Sequence, residues 1–273
     1  MSIPATSRRV DIRGVHLGVT DAGAETLPVA ISAHGLSQSR AAVIRSSIGD
    51  FSAVGQPEAP GGHRRLISYD ARGHGESSGS TNPADYVWPN LALDLLALAD
   101  YYSPNAPVSG IGTSMGTGTL LHAVTHLPNR FDRLVLSAPP TAWHTRALQA
   151  RMYSTMADLF ENGSAEELEA AMKAAPIPSI FADVPEFGLQ PDVDLSLLPA
   201  VFRGAGQTDL PSFEAIAGIT QPTLILAWAS DPGHPVETAE KLRELIPGAE
   251  LVVSETSADV RSWGRRAATF LAR

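Results

Sequence analysis

Cysteine is absent from the 273 residues, which excludes disulfides, thiolate metal sites and a cysteine nucleophile without identifying a compartment. No apolar run is long enough to span a bilayer, and Arg8 and Arg9 have no apolar h-region behind them. The expectation is a cytoplasmic protein without a signal peptide or a membrane partner. Positive charge is scarce: 20 Lys and Arg face 29 Asp and Glu, for a net charge of −9. With a pI near 5.3, nucleic acid is an unsuitable partner. No His/Asp cluster has metal-ligand spacing, and Gly110-x-Gly112 lacks the rest of a dinucleotide fingerprint, so neither metal nor cofactor is expected. Internal repeats and low-complexity segments are missing too.

What remains is an ordinary globule, 44% hydrophobic and 18% charged, able to bury one core with a modest insertion. Val10–Ile12 and Val15–Val19, split by Arg13-Gly14, alternate as a hairpin does. Pro28–Ala33 is a more continuous apolar run, as in a buried central strand, and ends in His34-Gly35-Leu36-Ser37. A helix with Ala41, Val43, Ile44 and Ile48 follows. Arg65–Tyr69 is the next strand and ends in Asp70-Ala71-Arg72-Gly73-His74-Gly75-Glu76-Ser77. From about Pro89, Leu91, Leu95, Leu98 and Tyr102 share one helical face. Pro107, Val108 and Ile111 lead into Gly112-Thr113-Ser114-Met115-Gly116, which a helix-compatible run leaves. Arg133–Ser137 makes another strand.

Between 141 and 212 there is no convincing strand. Ser164-Ala165-Glu166-Glu167 is a capping box opening a helix with Leu168 and Met172, among Pro-broken pieces. Alternation resumes at Gln221–Trp228 and runs through a helix, the strand Glu250–Val253 and a last helix near Val260–Leu271. This order predicts an α/β fold with a mostly parallel, doubly wound sheet, residues 1–140 and 213–273 forming the core and 141–212 a helical cap. Ligands in such sheets sit beyond the carboxyl ends of the strands, where His34-Gly35, Asp70–Gly73, Ser114 and Asp231 all fall.

Gly-x-Ser-x-Gly between a strand and a helix describes a turn too tight for side chains at its flanks. It exposes the Ser114 hydroxyl near the positive end of the helix. With His34-Gly35, Asp70-x-Arg72-Gly73-His74-Gly75-x-Ser77 and Asp231-Pro232-Gly233-His234-Pro235 at successive strand ends, the chain resembles the α/β-hydrolase superfamily over nearly its whole length. The resemblance implies Ser114 as nucleophile, the Leu36 and Met115 N–H groups as oxyanion hole, Asp231 as the acid, and a lid over the pocket.

One position departs from that pattern. Such proteins usually carry a catalytic His after the last strand, but here that loop reads Ser254-Glu255-Thr256-Ser257-Ala258-Asp259 and no His follows His234. Asp259 falls about where the His would be. A serine hydroxyl needs a positioned base, because its own pKa leaves almost no alkoxide at neutral pH. Of eight histidines, His16 reads as a hairpin residue, His63 as a solvated loop, and His34 and His74 as turn braces. His122 and His126 lie too far down their helix, and His144 starts the insertion. His234, three residues after Asp231 and just before a helix start, is the candidate base. It can serve only if Pro232-Gly233 folds its ring back over Ser114.

Asp70 and Arg72 read as a structural pair, Glu255 and Asp259 as loop carboxylates, with Asp259 alternatively a pocket acid. Trp143, Met152, Tyr153 and Met156 line either a lid underside or a plain core. Three functions follow: a serine hydrolase of small or medium apolar esters or lactones, a non-catalytic relative binding a small ligand or partner, or a lyase, isomerase or cyclase. The missing late His is the feature on which they divide.

Overall fold

The computed structural model describes residues 5–56, 64–174, 177–184 and 191–273. Eight strands among these residues form one sheet: β1 (Thr6–Ile12), β2 (Val15–Ala22), β3 (Val29–Ala33), β4 (Arg65–Tyr69), β5 (Val108–Thr113), β6 (Phe131–Ser137), β7 (Thr223–Trp228) and β8 (Glu250–Ser254). Their order is β1-β2-β4-β3-β5-β6-β7-β8. The β1–β2 hairpin and the β2–β4 pair are antiparallel; every pair from β4–β3 to β7–β8 is parallel. The β5 and β7 side chains are buried throughout, as expected of strands covered on both faces.

Helices α1 (Arg40–Ser46), α2 (Trp88–Tyr102) and α3 (Met115–His126) connect the first strands. Leu91, Leu95, Leu98 and Tyr102 of α2 pack with Leu120 and Val124 of α3 in one core layer. That layer lies against Ile31, Ile67 and Leu136 of the sheet. The opposite layer holds Phe51, Val54, Trp228 and Trp263 with Ile111 and Leu226. Ile48, read with the first helix, lies beyond its end: Ser47 caps α1 in a left-handed conformation (φ 56°).

After β6 come α4 (Arg146–Asn162), α5 (Ala165–Ala174), α6 (Leu198–Gly206) and α7 (Phe213–Ala217). The capping box at α5 forms, with Ser164 N–H donating to Glu167 Oε2 (2.8 Å) and Glu167 N–H to Ser164 Oγ (3.2 Å). After β7 come α8 (Val236–Leu245), α9 (Ser257–Arg261) and α10 (Trp263–Leu271). The expected single last helix is therefore two, and the break lies at Ser262. His63, Pro176 and Pro185, and the side chain of Met172, lie outside the described residues. None of the described helices is long and apolar enough to cross a membrane.

Two stems join the helices after β6 to the core. Arg146 is buried at their base, its Nε–H donating to the Thr208 carbonyl (2.9 Å) and its NH2 to the Ala205 carbonyl (2.6 Å). Trp143 N–H donates to the Asp209 carboxylate (3.0 Å), and Trp143 Nε1–H to the Pro211 carbonyl (3.1 Å). The first stem also meets the β7–α8 turn, through Thr141 N–H on the Gly233 carbonyl (3.1 Å). Asp192 N–H on the Ser37 carbonyl (2.8 Å) fastens the returning chain to the loop after β3.

Candidate active site

Ser114 sits between β5 and α3 at φ 53° and ψ −110°, a conformation that costs a non-glycine residue on the order of 1–3 kcal/mol. Its surroundings hold it there. Ser114 N–H donates to the Ser137 carbonyl (3.0 Å) and its carbonyl accepts from Gly118 N–H (3.1 Å), starting the helix. Thr117 Oγ1 donates to the Gly112 (2.9 Å) and Ser137 (2.8 Å) carbonyls. A Cβ on Gly112 would stand 2.3 Å from the Gly116 carbonyl oxygen, and one on Gly116 would stand 2.1 Å from that of Ala33. No larger residue fits at either position.

Beside the elbow runs the loop after β3. An ideal Cβ on Gly35 would lie 3.5 Å from Ser114 Cβ, so Gly35-Leu36 borders Ser114. Met115 opens α3, so its N–H has no partner within the helix. Two buried histidines brace the loop. His34 Nδ1–H donates to the Gly35 carbonyl (2.8 Å) while Nε2 accepts from Ala71 N–H (2.9 Å). His74 Nδ1–H donates to the Arg72 carbonyl (2.9 Å) while Nε2 accepts from Ser37 N–H (3.3 Å). Burial pushes the pKa of both rings down, that of His74 to about 3, so each stays neutral and accepts at Nε2. They are turn braces, as the sequence indicates.

Asp70 and Arg72 do not pair with each other, contrary to expectation. Asp70 accepts from Arg40 N–H (2.8 Å), Arg40 NH2 (3.1 Å) and Glu76 N–H (3.0 Å). Arg72 reaches across to α2 and forks onto Asp94, with Nε 2.7 Å from Oδ2 and NH2 2.8 Å from Oδ1. The planar guanidinium finds a two-oxygen partner twenty-two residues away, a distance no local motif encodes.

The β7–α8 loop carries His234, the histidine singled out in the sequence. Ser230 adopts a left-handed conformation (φ 66°), reversing the chain after β7. His234 N–H then donates to the Asp231 carbonyl (3.1 Å) and Gly233 N–H to Asp231 Oδ1 (2.8 Å). This closed turn folds the imidazole back. Nδ1 lies 2.7 Å from Asp231 Oδ2, and Nε2 lies 2.8 Å from Ser114 Oγ. With Nδ1–H donating to the carboxylate, Nε2 is left free to accept the serine hydroxyl.

Asp231 is largely buried, and burial pushes its pKa up. Hydrogen bonds from His234, Trp228 and Gly233 outweigh that and hold it below the ordinary carboxylate range. One of those donors escaped the sequence reading: Trp228 Nε1–H reaches Asp231 Oδ2 at 2.9 Å. The available signal was a Trp ending a buried strand three residues before an Asp, because a buried indole N–H needs an acceptor.

The other histidines stand elsewhere. His16 is exposed beside Asp11, and His144 lies at the surface, 3.3 Å from Glu237. His122 Nε2–H donates to the Asp209 carbonyl (2.8 Å), and His126 is exposed at the end of α3. Asp259, weighed as a pocket acid, instead closes the start of α9: its N–H donates to Thr256 Oγ1 (3.1 Å), whose hydroxyl donates to Asp259 Oδ2 (2.8 Å). Glu255 is exposed.

Next to Gly35, Leu36 packs against the cluster that holds Leu198 and Val201 of α6, as do Phe160 and Phe202. Phe202 stacks on Phe160 and tilts against Tyr153, both at 5.8 Å. Burial pushes the Tyr153 phenol up, and the charge of Asp231 adds to the push, so it remains protonated. Met152 is about half exposed (49%), whereas Met156 is more buried.

The α/β hydrolase fold family matches residues 33–176, more than half of the chain, and the protein belongs to that family. Over 208 residues it is 29% identical to 3-oxoadipate enol-lactonase 2 of Acinetobacter baylyi, covering 70% of this chain and 71% of that one. Among solved structures it is similar to a hydrolase from Pseudomonas aeruginosa (TM-score 0.77, 22% identity, 98% of each chain). It is also similar to an enol-lactonase from Burkholderia xenovorans (TM-score 0.69, 19% identity, 97% of this chain and 100% of that one).

Proposed function

We propose that the protein is a serine hydrolase of small or medium apolar esters or lactones whose base, His234, comes from the same turn as its acid, Asp231. The observation that carries this reading is the continuous relay from Ser114 Oγ through His234 to Asp231, at 2.8 and 2.7 Å. Both separations are within the reach required for proton transfer.

In this reading His234 Nε2 takes the Ser114 proton as Oγ attacks the acyl carbon. Negative charge on the carbonyl oxygen meets the N–H groups of Leu36 and Met115, helped by the α3 N-terminus. His234 returns the proton to the departing alkoxide, which for a lactone remains attached to the acyl group. Water, deprotonated by His234, then releases the acyl-enzyme. Asp231 stabilises the imidazolium formed in each half-reaction. Residues 141–212 act as the cap. The apolar group of Leu36, Phe160 and Phe202 favours an apolar acyl or ring substituent, and the enol-lactonase relative supports including lactones.

The test is turnover of p-nitrophenyl esters of graded chain length and of simple aliphatic lactones, with fluorophosphonate labelling located by mass spectrometry. The expected result is ester or lactone turnover and labelling confined to Ser114, both lost in His234→Ala. Undiminished turnover in His234→Ala would overturn the assignment of the base. An unlabelled, inactive protein that still binds such ligands would be a non-catalytic relative. A product other than the free acid would indicate a lyase, isomerase or cyclase.

A further inference from the structure

We infer that Trp228 is a positioning residue that acts on His234 through Asp231, an inference resting on the hydrolase reading above. Asp231 Oδ2 accepts two hydrogen bonds, from His234 Nδ1–H at 2.7 Å and from Trp228 Nε1–H at 2.9 Å. Oδ1 accepts from Gly233 N–H at 2.8 Å. Three donors from three directions leave the carboxylate one orientation.

Two of those donors belong to the turn itself and move with it. The third belongs to the sheet. Trp228 is the last residue of β7, and its indole is clamped by neighbours from elsewhere in the chain. It stacks on Trp263 of α10, with centroids 5.3 Å apart and planes at 10°. Phe181 meets it edge-on at 4.9 Å. Trp263 is itself fixed by its N–H on Ser254 Oγ (2.9 Å), at the end of β8. The Trp228 ring also meets the His234 imidazole at 5.1 Å and 73°. One side chain thus references both members of the acid–base pair to the buried sheet.

The indole N–H also competes with His234 for charge on Oδ2. A carboxylate oxygen that already accepts one hydrogen bond holds a second donor less strongly. Without the indole donor, Asp231 is freer to turn and more basic toward the imidazolium. The first effect slows turnover. The second moves the acidic limb of the rate profile to higher pH, since the protonated ring is better stabilised.

The experiment compares wild type, Trp228→Phe, and a chain with benzothienylalanine at 228, which keeps the indole shape without the N–H. Trp263→Phe serves as a control that loosens the stack but keeps the Trp228 donor. Loss of one hydrogen bond to a charged group corresponds to roughly a 10-fold fall in kcat with KM little changed. The expected result is that fall, with the acidic limb displaced upward, in both Trp228 variants, and in Trp263→Phe a smaller fall with the limb unmoved, because the clamp is loosened while the donor remains. In an Asp231→Asn background the benzothienyl substitution should cause no further loss, because its route of action is gone.

An unchanged kcat and pH limb in the benzothienyl variant would overturn the inference, as would an equal loss with and without Asp231. Ser114→Ala runs alongside. Full activity there would overturn the hydrolase reading and this inference with it. An inactive Ser114→Ala with an unaffected benzothienyl variant would overturn the inference alone.

Discussion

Two neighbouring loops leave the same edge of the sheet, one after β7 and one after β8, and they have unequal chemistry. The β7–α8 loop packs Asp231 and His234 into one four-residue turn that points at Ser114. The β8–α9 loop, where the family resemblance puts a histidine, spends its polar groups on capping and on neighbouring segments. Thr256 and Asp259 cap α9, and Ser257 donates to Asp183 (2.7 Å). A side chain at a strand end serves a site only if the local backbone aims it there. Hydrogen bonds within the turn give the first loop that aim; the cap of α9 gives the second a different one.

The largest effect that can break this contrast is removal of the proposed base or nucleophile. His234→Ala or Ser114→Ala should lower kcat on p-nitrophenyl esters on the order of 10⁴–10⁶-fold. Asp231→Asn follows, with a loss on the order of 10⁴-fold. A histidine moved to the second loop sharpens the comparison. Asp259→His in the His234→Ala background should restore no turnover, because position 259 lies in the first turn of α9. Recovery of more than a tenth of wild-type kcat would show that the second loop can still take over.

Below neutral pH a separate dependence of folding comes from His34 and His74 beneath the loop after β3, whose folded pKa values lie below the unfolded one. The unfolded chain binds protons first, so stability is fully present above about pH 6.5 and declines as pH falls toward the folded values. For His74, taken from 6.5 to about 3, the loss by pH 5 is about 2 kcal/mol. Chemical denaturation between pH 7 and pH 5 measures it, and His74→Asn should flatten the slope. The smallest effect is Asp259→Ala alone. It should leave kcat within twofold and cost about 1 kcal/mol by loosening the α9 cap; a large fall in kcat would put Asp259 back among the pocket acids.

The sequence reading reached furthest where period and punctuation coincide. The eight strands and the elbow follow from alternating or apolar runs broken by turn motifs, and the α5 capping box from its Ser-x-x-Glu spacing. It stopped where the partner is chosen by packing across elements or by a reversal of the backbone. Arg72 finds Asp94 on α2 rather than Asp70, and Trp228 finds Asp231 only because Ser230 reverses the chain. Helix α6 was hidden because Pro199 reads as a breaker, although it sits in the first turn, where no N–H is needed. His234 itself was legible as a residue type at the right strand end. Its direction was not, because a hydrogen bond from Gly233 to the Asp231 side chain sets it.

The bond from Thr141 N–H to the Gly233 carbonyl has a mechanical consequence. Asp231 and His234 share one hydrogen-bonded turn, and the first stem is tied to that turn one residue before the imidazole. The helices between β6 and β7 therefore meet the Asp231–His234 pair through main chain, on a turn that Trp228 holds to the sheet from within.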